Sequence, residues 1–421
     1  MKVLWLCNMI PGAVRAAMGE SSDGGGLWVD HVLSDLRKRE DISLLLLARG
    51  GNAQGRLDER TAYALFSEPE PHRYEAGLEA MFARLLKSFS PDVIHIWGTE
   101  YGHSLAMVKA AGQVGLADRV AVSIQGLCGI YARHYCEGLP EWVCRRYSFR
   151  DFIRRDNVSR QQRKFYLRGQ MERQTLEAAT HVIGRTDWDR AITGQYNPER
   201  IYHFCNETLR QPFYQDAWRY EGCKKHRIFA SSCVYPVKGF HYLLEAFSIV
   251  LERYPDATLS VTGEPFFAPG FQEKLRQQYY FRYLEQLCRD RGLTDKIDFL
   301  GDLNAHQMKK AYLEANVFAL PSTIENSPNS LGEAMLLGVP CVAADVGGVS
   351  NMLQRGEGFL YQSTAPYMLA EYMIRVFQLG EEAEKMGALA RRHAQLTHDP
   401  AGNLEALLGI YRQIAEEGKK A

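Results

Sequence analysis

Apolar residues in this chain fall into two kinds of run. Short segments that are apolar at nearly every position, Lys2–Cys7 and residues 43–47, 91–97, 119–124 and 180–184, read as buried strands of a parallel sheet. Stretches with apolar residues three or four apart, such as residues 27–39, separate them and read as amphipathic helices. The alternation resumes at residues 227–231, 257–262, 297–300, 317–322 and 341–345, with an amphipathic helix predicted at Phe240–Arg253 and an inserted helix within 266–291. Strand and helix in regular alternation predict an α/β chain with two halves, each built on a parallel sheet.

Length agrees: 421 residues are long for one core and comfortable for two. Fifty basic residues balance fifty acidic ones, so no overall field draws the chain to nucleic acid. No apolar run approaches a bilayer span, and residues 3–7 are too short for a secretory h-region. The nine cysteines are scattered and never spaced Cys-x-x-Cys, which reads as reduced thiols in a cytoplasmic protein.

The most informative stretch is 317–348, VFALPSTIENSPNSLGEAMLLGVPCVAADVGG. A buried strand leads into a polar loop with Pro328, and a helix then runs until Gly338 and Pro340 close it. A helix start presents unpaired N–H groups and the positive end of a dipole, which together attract phosphate. Two carboxylates flank this one, Glu325 and Glu333. Beside a diphosphate a carboxylate is a poor phosphate ligand but a good acceptor for sugar hydroxyls. A structural reading stands beside this one, since Ser330-x-x-Glu333 also has the form of a capping box.

With its Pro-Asn-Ser turn, two glutamates and closing Gly-Gly, ENSPNSLGEAMLLGVPCVAADVGG resembles the signature of retaining glycosyltransferase family 4. The resemblance implies a GT-B fold, two doubly wound Rossmann-like domains facing across a cleft, with the last helix returning to the first domain. Expected boundaries are an N-terminal domain over 1–206, a linker over 207–226, a nucleotide-sugar domain over 227–399 and the returning helix over 400–421. It implies transfer of a hexosyl unit from a nucleotide-diphosphate sugar, UDP-linked in preference to GDP-linked, to a glycan or lipid-linked acceptor. Neither a metal nor another cofactor is implied. Surface-polysaccharide synthesis in bacteria is the setting suggested by general likeness.

Carried over residue by residue, the resemblance places Glu325 on the donor hexose and Glu333 on the ribose. Backbone around Ser327, Asn329, Ser330 and Leu331 would hold the diphosphate, helped by Lys238. Where relatives carry an arginine before that lysine this chain has Cys233, and where many carry an acceptor-facing histidine it has Gln125. Glutamine can hydrogen-bond a hydroxyl but cannot serve as a base at neutral pH. Gly25 and Gly26 occupy the position of the family's glycine pair near the donor phosphate. Glu100, with His103, lies beyond a strand end and is expected at the substrate, and Arg185 is a candidate second cation. His95, inside a strand, reads as a core histidine. Asn206 matches the family's Asn-Gly crossing, but Glu207 replaces the glycine.

One segment, about 133–173, stands apart by its many arginines interleaved with aromatic residues. It reads as an insertion of the N-terminal domain. Either it is a solvated helical insertion whose arginines pair with acidic residues, or it is an acceptor-side lid or a contact with the anionic inner face of the membrane; RNA binding is a weaker third reading, since the neutral total charge gives no supporting field. Two rival functions remain for the whole chain: a nucleotide-sugar epimerase or hydrolase, and an inactive nucleotide-sugar-binding protein.

Overall fold

The computed structural model describes residues 1–20, 28–68, 70 and 72–419. The chain forms two compact units, one of Met1–Ile130, Phe165–Arg210 and Thr397–Ala421, the other of Tyr131–Lys164 and Gln211–Leu396.

Among the described residues the first unit holds an eight-stranded sheet of β1 (Lys2–Cys7), β2 (Ser43–Arg49), β3 (Gln54–Arg56), β4 (Thr61–Phe66), β5 (Val93–Trp97), β6 (Val120–Ser123), β7 (His181–Gly184) and β8 (Ile201–Phe204). Their order is β3-β4-β2-β1-β5-β6-β7-β8, parallel throughout except where β3 meets β4. The strands expected from apolar runs are all present. The short β3 and the half-exposed β8 carry no such run, and the sequence reading passes over them, as it does over β4, although TAYALF is apolar at most positions. Between β1 and β2 lies a short helix, Gly12–Ala17, whose first N–H donates to Asp30 Oδ1 (2.7 Å).

Helix Pro400–Glu417 belongs to this unit, with Leu407, Leu408, Tyr411 and Ile414 buried in the same core as Val3, Trp5 and Leu46. Trp5 Nε1 donates to the Tyr411 hydroxyl (2.9 Å), which lies 2.5 Å from His95 Nδ1, while His95 Nε2 lies 2.7 Å from Ser123 Oγ. His95 is thus a fully buried core histidine with both nitrogens satisfied.

The second unit carries a six-stranded sheet among the described residues: β9 (Arg227–Ala230), β10 (Thr258–Val261), β11 (Ile297–Phe299), β12 (Val317–Leu320), β13 (Cys341–Ala344) and β14 (Phe359–Tyr361). All neighbours are parallel in the order β11-β10-β9-β12-β13-β14. The winding direction reverses between β9 and β12, and ligands of such sheets bind beyond the strand ends at that point. The stretch expected to insert one helix at 266–291 forms two, Phe271–Arg276 and Tyr279–Asp290.

Two sequence-based boundaries are corrected. Residues 133–164 of the basic insertion pack with the second unit, while 165–173 stay with the first, because Asp151 accepts the Tyr279 N–H (2.8 Å), and Thr323 Oγ1 donates to the His134 carbonyl (3.2 Å). The expected linker is largely part of the second unit, where Trp218 donates from its backbone to Leu337 (2.7 Å) and from its indole to Ala315 (2.7 Å).

Candidate functional site

The loops after β9 and β12 bring the sequence-predicted donor residues of the second unit together. After β9 the chain makes a single helical turn, Pro236–Lys238, and Gly239 reverses it with φ +63. A Cβ on Gly239 would lie 1.8 Å from the Pro321 carbonyl oxygen, so only glycine lets this turn seat against the end of β12. Thr323 completes the junction by donating its N–H to the Val237 carbonyl (2.8 Å). Lys238 is thereby carried to Glu325, and its Nζ donates to Oε1 over 2.6 Å. Ser322 Oγ donates to the same oxygen (2.8 Å).

Ser322, Thr323, Glu325 and Asn326 are all buried, an unusual density of polar groups for a loop. The Glu325 backbone is held by the closing glycine pair, since its carbonyl accepts the Gly348 N–H (3.1 Å). Gly347, at φ +55, has no room for a Cβ, which would approach the Glu325 carbonyl oxygen to 1.9 Å.

Helix Asn329–Leu337 starts after Pro328, and no side chain caps it. Ser330 is already the second helical residue, so Ser330-x-x-Glu333 does not form a capping box. Leu331 and Gly332 donate to the Pro328 carbonyl (3.0 and 3.2 Å). Among the described residues the N–H groups of Asn329 and Ser330 have no acceptor. The Leu331 amide, expected to help hold a diphosphate, is therefore already engaged. Ser327 Oγ sits 3.4 Å from Met352 Sδ, and Glu333 is buried within the helix.

Cys233 stands after β9 where a second cation is expected. It is 2% exposed, and burial pushes its thiol up to about 12, so it contributes no charge. Arg185, the candidate substitute, lies in the first unit and is committed there. It pairs with Glu207 and donates to the Ile124 carbonyl (3.1 Å) while almost wholly buried. Gln125 Nε2 donates to the other oxygen of Glu207 (2.7 Å). The residue replacing the family's glycine thus organises both neighbours, a role the sequence reading missed although the departure at Glu207 was visible.

Glu100 follows β5 at the switch point of the first sheet, beside Asn8 after β1. Asn8 Nδ2 donates to Glu100 Oε2 (2.7 Å), and its Oδ1 lies 2.9 Å from His103 Nε2. Burial holds the Glu100 carboxyl above its ordinary value, against the opposing pull of Arg168 and Asn8. His103, expected at the substrate with Glu100, is instead fully buried, its Nδ1 2.8 Å from Glu68 Oε2. Asn8 and Glu68 lack a local sequence signal, because the fold alone brings them to the strand end. Gly25 and Gly26 lie outside the described residues. Among the described residues no group of His, Cys, Asp and Glu is placed to hold a metal ion.

Residues 222–393 match the family described as "Glycosyl transferases group 1". An uncharacterized glycosyltransferase of Methanocaldococcus jannaschii is 34% identical over 117 residues, 28% of this chain and 26% of that protein. A D-inositol 3-phosphate glycosyltransferase of Corynebacterium urealyticum is 27% identical over 188 residues, 43% of this chain and 42% of that protein. The matched region therefore spans less than half the length of these relatives. Solved structures match over the whole chain. Sucrose-phosphate synthase from Thermosynechococcus elongatus superposes with TM-score 0.69 at 15% identity, covering 98% of this chain and 99% of that one. Anabaena HepE in complex with UDP-glucose gives 0.65 at 18% identity, covering 100% of both chains. The fold is GT-B.

Proposed function

We propose that this chain is a retaining, metal-independent glycosyltransferase that moves a hexosyl unit from a nucleotide-diphosphate sugar to a hydroxyl of a glycan or lipid-linked acceptor. The observation that carries the reading is the meeting of Lys238 with Glu325 (2.6 Å), in the loop that opens a helix whose first two N–H groups have no acceptor among the described residues. A diphosphate at that helix start would gain the Asn329 and Ser330 amides and the Lys238 ammonium. Preorganised donors of this kind contribute about 3 kcal/mol each to stabilising developing charge where water is excluded. Glu325 and Glu333 accept from donor hydroxyls, of the hexose and the ribose respectively. UDP is favoured as the carrier, in line with the UDP and UDP-glucose bound by Anabaena HepE.

Bond changes balance without a protein base. The bond from the anomeric carbon to the diphosphate oxygen breaks as a bond to the acceptor oxygen forms on the same face, and the departing phosphate oxygen takes the acceptor proton. Gln125, tied to Glu207, has no part in proton transfer. Surface-polysaccharide synthesis in a bacterium would supply such acceptors.

Incubation with nucleotide-diphosphate sugars, with and without an acceptor mixture, tests the reading. Sugar release that depends on acceptor is expected. Donor turnover without acceptor would replace transfer by hydrolysis or epimerisation, and nucleotide binding with no release under any mixture would leave a binding protein.

A further inference from the structure

We propose that the second unit docks on an anionic membrane surface through a ridge centred on the short helix Phe149–Arg154. Ser148 caps this helix by accepting the Asp151 N–H (3.1 Å), and Asp151 returns a bond to the Ser148 N–H (3.2 Å). Phe149, Phe152 and Ile153 sit at positions i, i+3 and i+4, so they share one face. They are 59%, 69% and 63% exposed. Trp142 and Tyr147 are also exposed, and so is Phe271, on the helix Phe271–Arg276 that contacts this one. Bulky apolar side chains gathered on one exposed face mark a surface that meets something less polar than water.

Charge selects the occupant. The acids nearest the ridge are engaged: Asp151 is buried and binds the Tyr279 N–H, and the half-buried Asp156 pairs with Lys164 (3.1 Å) and Arg150 (3.8 Å). Apart from Arg150, the arginines flanking the ridge face outward. Arg145, Arg146, Arg154 and Arg155 are exposed around the ridge, as are Lys274 and Arg276 on the neighbouring helix. Among the described residues Arg154 and Arg155 have no ion-pair partner. Exposed acids within the two segments are Glu141, paired with Arg145, and Glu273. Protruding rings rimmed by unpaired arginines fit a deformable negative surface, into which the rings insert while guanidinium groups meet phosphates. No helix among the described residues is long and apolar enough to cross a bilayer, so this is attachment in the interfacial plane. The inference does not depend on the proposed activity.

Co-sedimentation of the full chain tests it, with vesicles of phosphatidylcholine alone and vesicles one third phosphatidylglycerol. Binding is expected to the anionic vesicles only and to weaken with added salt. Two variants, F149S/F152S/I153S and R154E/R155E, are each expected to weaken binding by roughly tenfold or more while leaving the melting temperature unchanged. The arginine variant alters only exposed side chains, so it keeps the test decisive if the triple variant misfolds. Absence of binding to anionic vesicles, or binding that neither variant alters, would overturn the proposal. So would a change in oligomeric state by light scattering with vesicle binding intact, because the ridge would then be a contact between copies.

Discussion

Lys238 is delivered to Glu325 by backbone geometry more than by its own flexible stem, and this sets what its removal should do. Lys238→Ala is expected to lower kcat by roughly a hundredfold to a thousandfold, the loss of one strong charge-stabilising donor. Gln125→Ala should stay within about tenfold of the parent, because no proton moves through it. Steady-state assays of both variants check this, and equal losses would count against a mechanism without a protein base. Glu207 invites a stability measurement. With side-chain exposures of 4% and 9%, the Arg185–Glu207 pair is buried. Glu207→Ala strips a buried guanidinium of its partner and is expected to cost about 3–5 kcal/mol in chemical denaturation.

At the scale of elements, the candidate site consists of two loops following the neighbouring strands β9 and β12, locked by one glycine each. Gly239 lets the first loop touch the second, and Gly347 lets the loop after β13 grip the Glu325 backbone. Gly347→Ala must relieve both a positive φ and a contact of 1.9 Å with backbone, which cannot swing aside as a side chain would. A loss of roughly 2 kcal/mol or more in stability is expected, from strain of this kind. Displacement of Glu325 should weaken donor binding as well, and calorimetric titration with UDP-sugar alongside UDP separates the two effects. Sugar affinity should fall more than affinity for UDP alone.

Across the whole molecule, acid stability should be set by histidines that the fold keeps neutral. Burial lowers His95 to about 3 in the first unit and His241 to about 4 in the second, and both are fully buried. Their unfolded counterparts titrate near 6.5, so above that pH they add nothing to the pH dependence. Below it the unfolded chain takes up protons that the folded chain refuses. Stability should therefore fall progressively as pH drops from about 6.5 toward about 4, by up to a few kcal/mol in total. Urea melts at stepped pH measure this, and a flat profile over that window would show that these rings are protonated in the fold.

What the sequence determined by itself is local. Apolar runs specified the buried strands, and Phe240–Arg253 is both the helix expected from its periodicity and the helix observed. The 317–348 stretch announced a strand, a polar loop and a helix start because the apolar run, Pro328 and the closing glycines are contiguous there. Its two readings of Ser330 and Glu333 were separated only by the structure, since a shift of two residues in the helix start takes Ser330 out of the capping position. Partnerships between distant residues needed the fold: Glu207 holding Arg185 and Gln125, Asn8 bridging Glu100 and His103, and Asp151 drawing the basic insertion onto the second unit. A residue's propensity and periodicity are written in its neighbours along the chain. Which charge it faces depends on strand order and on where a helix returns, and no local pattern records either.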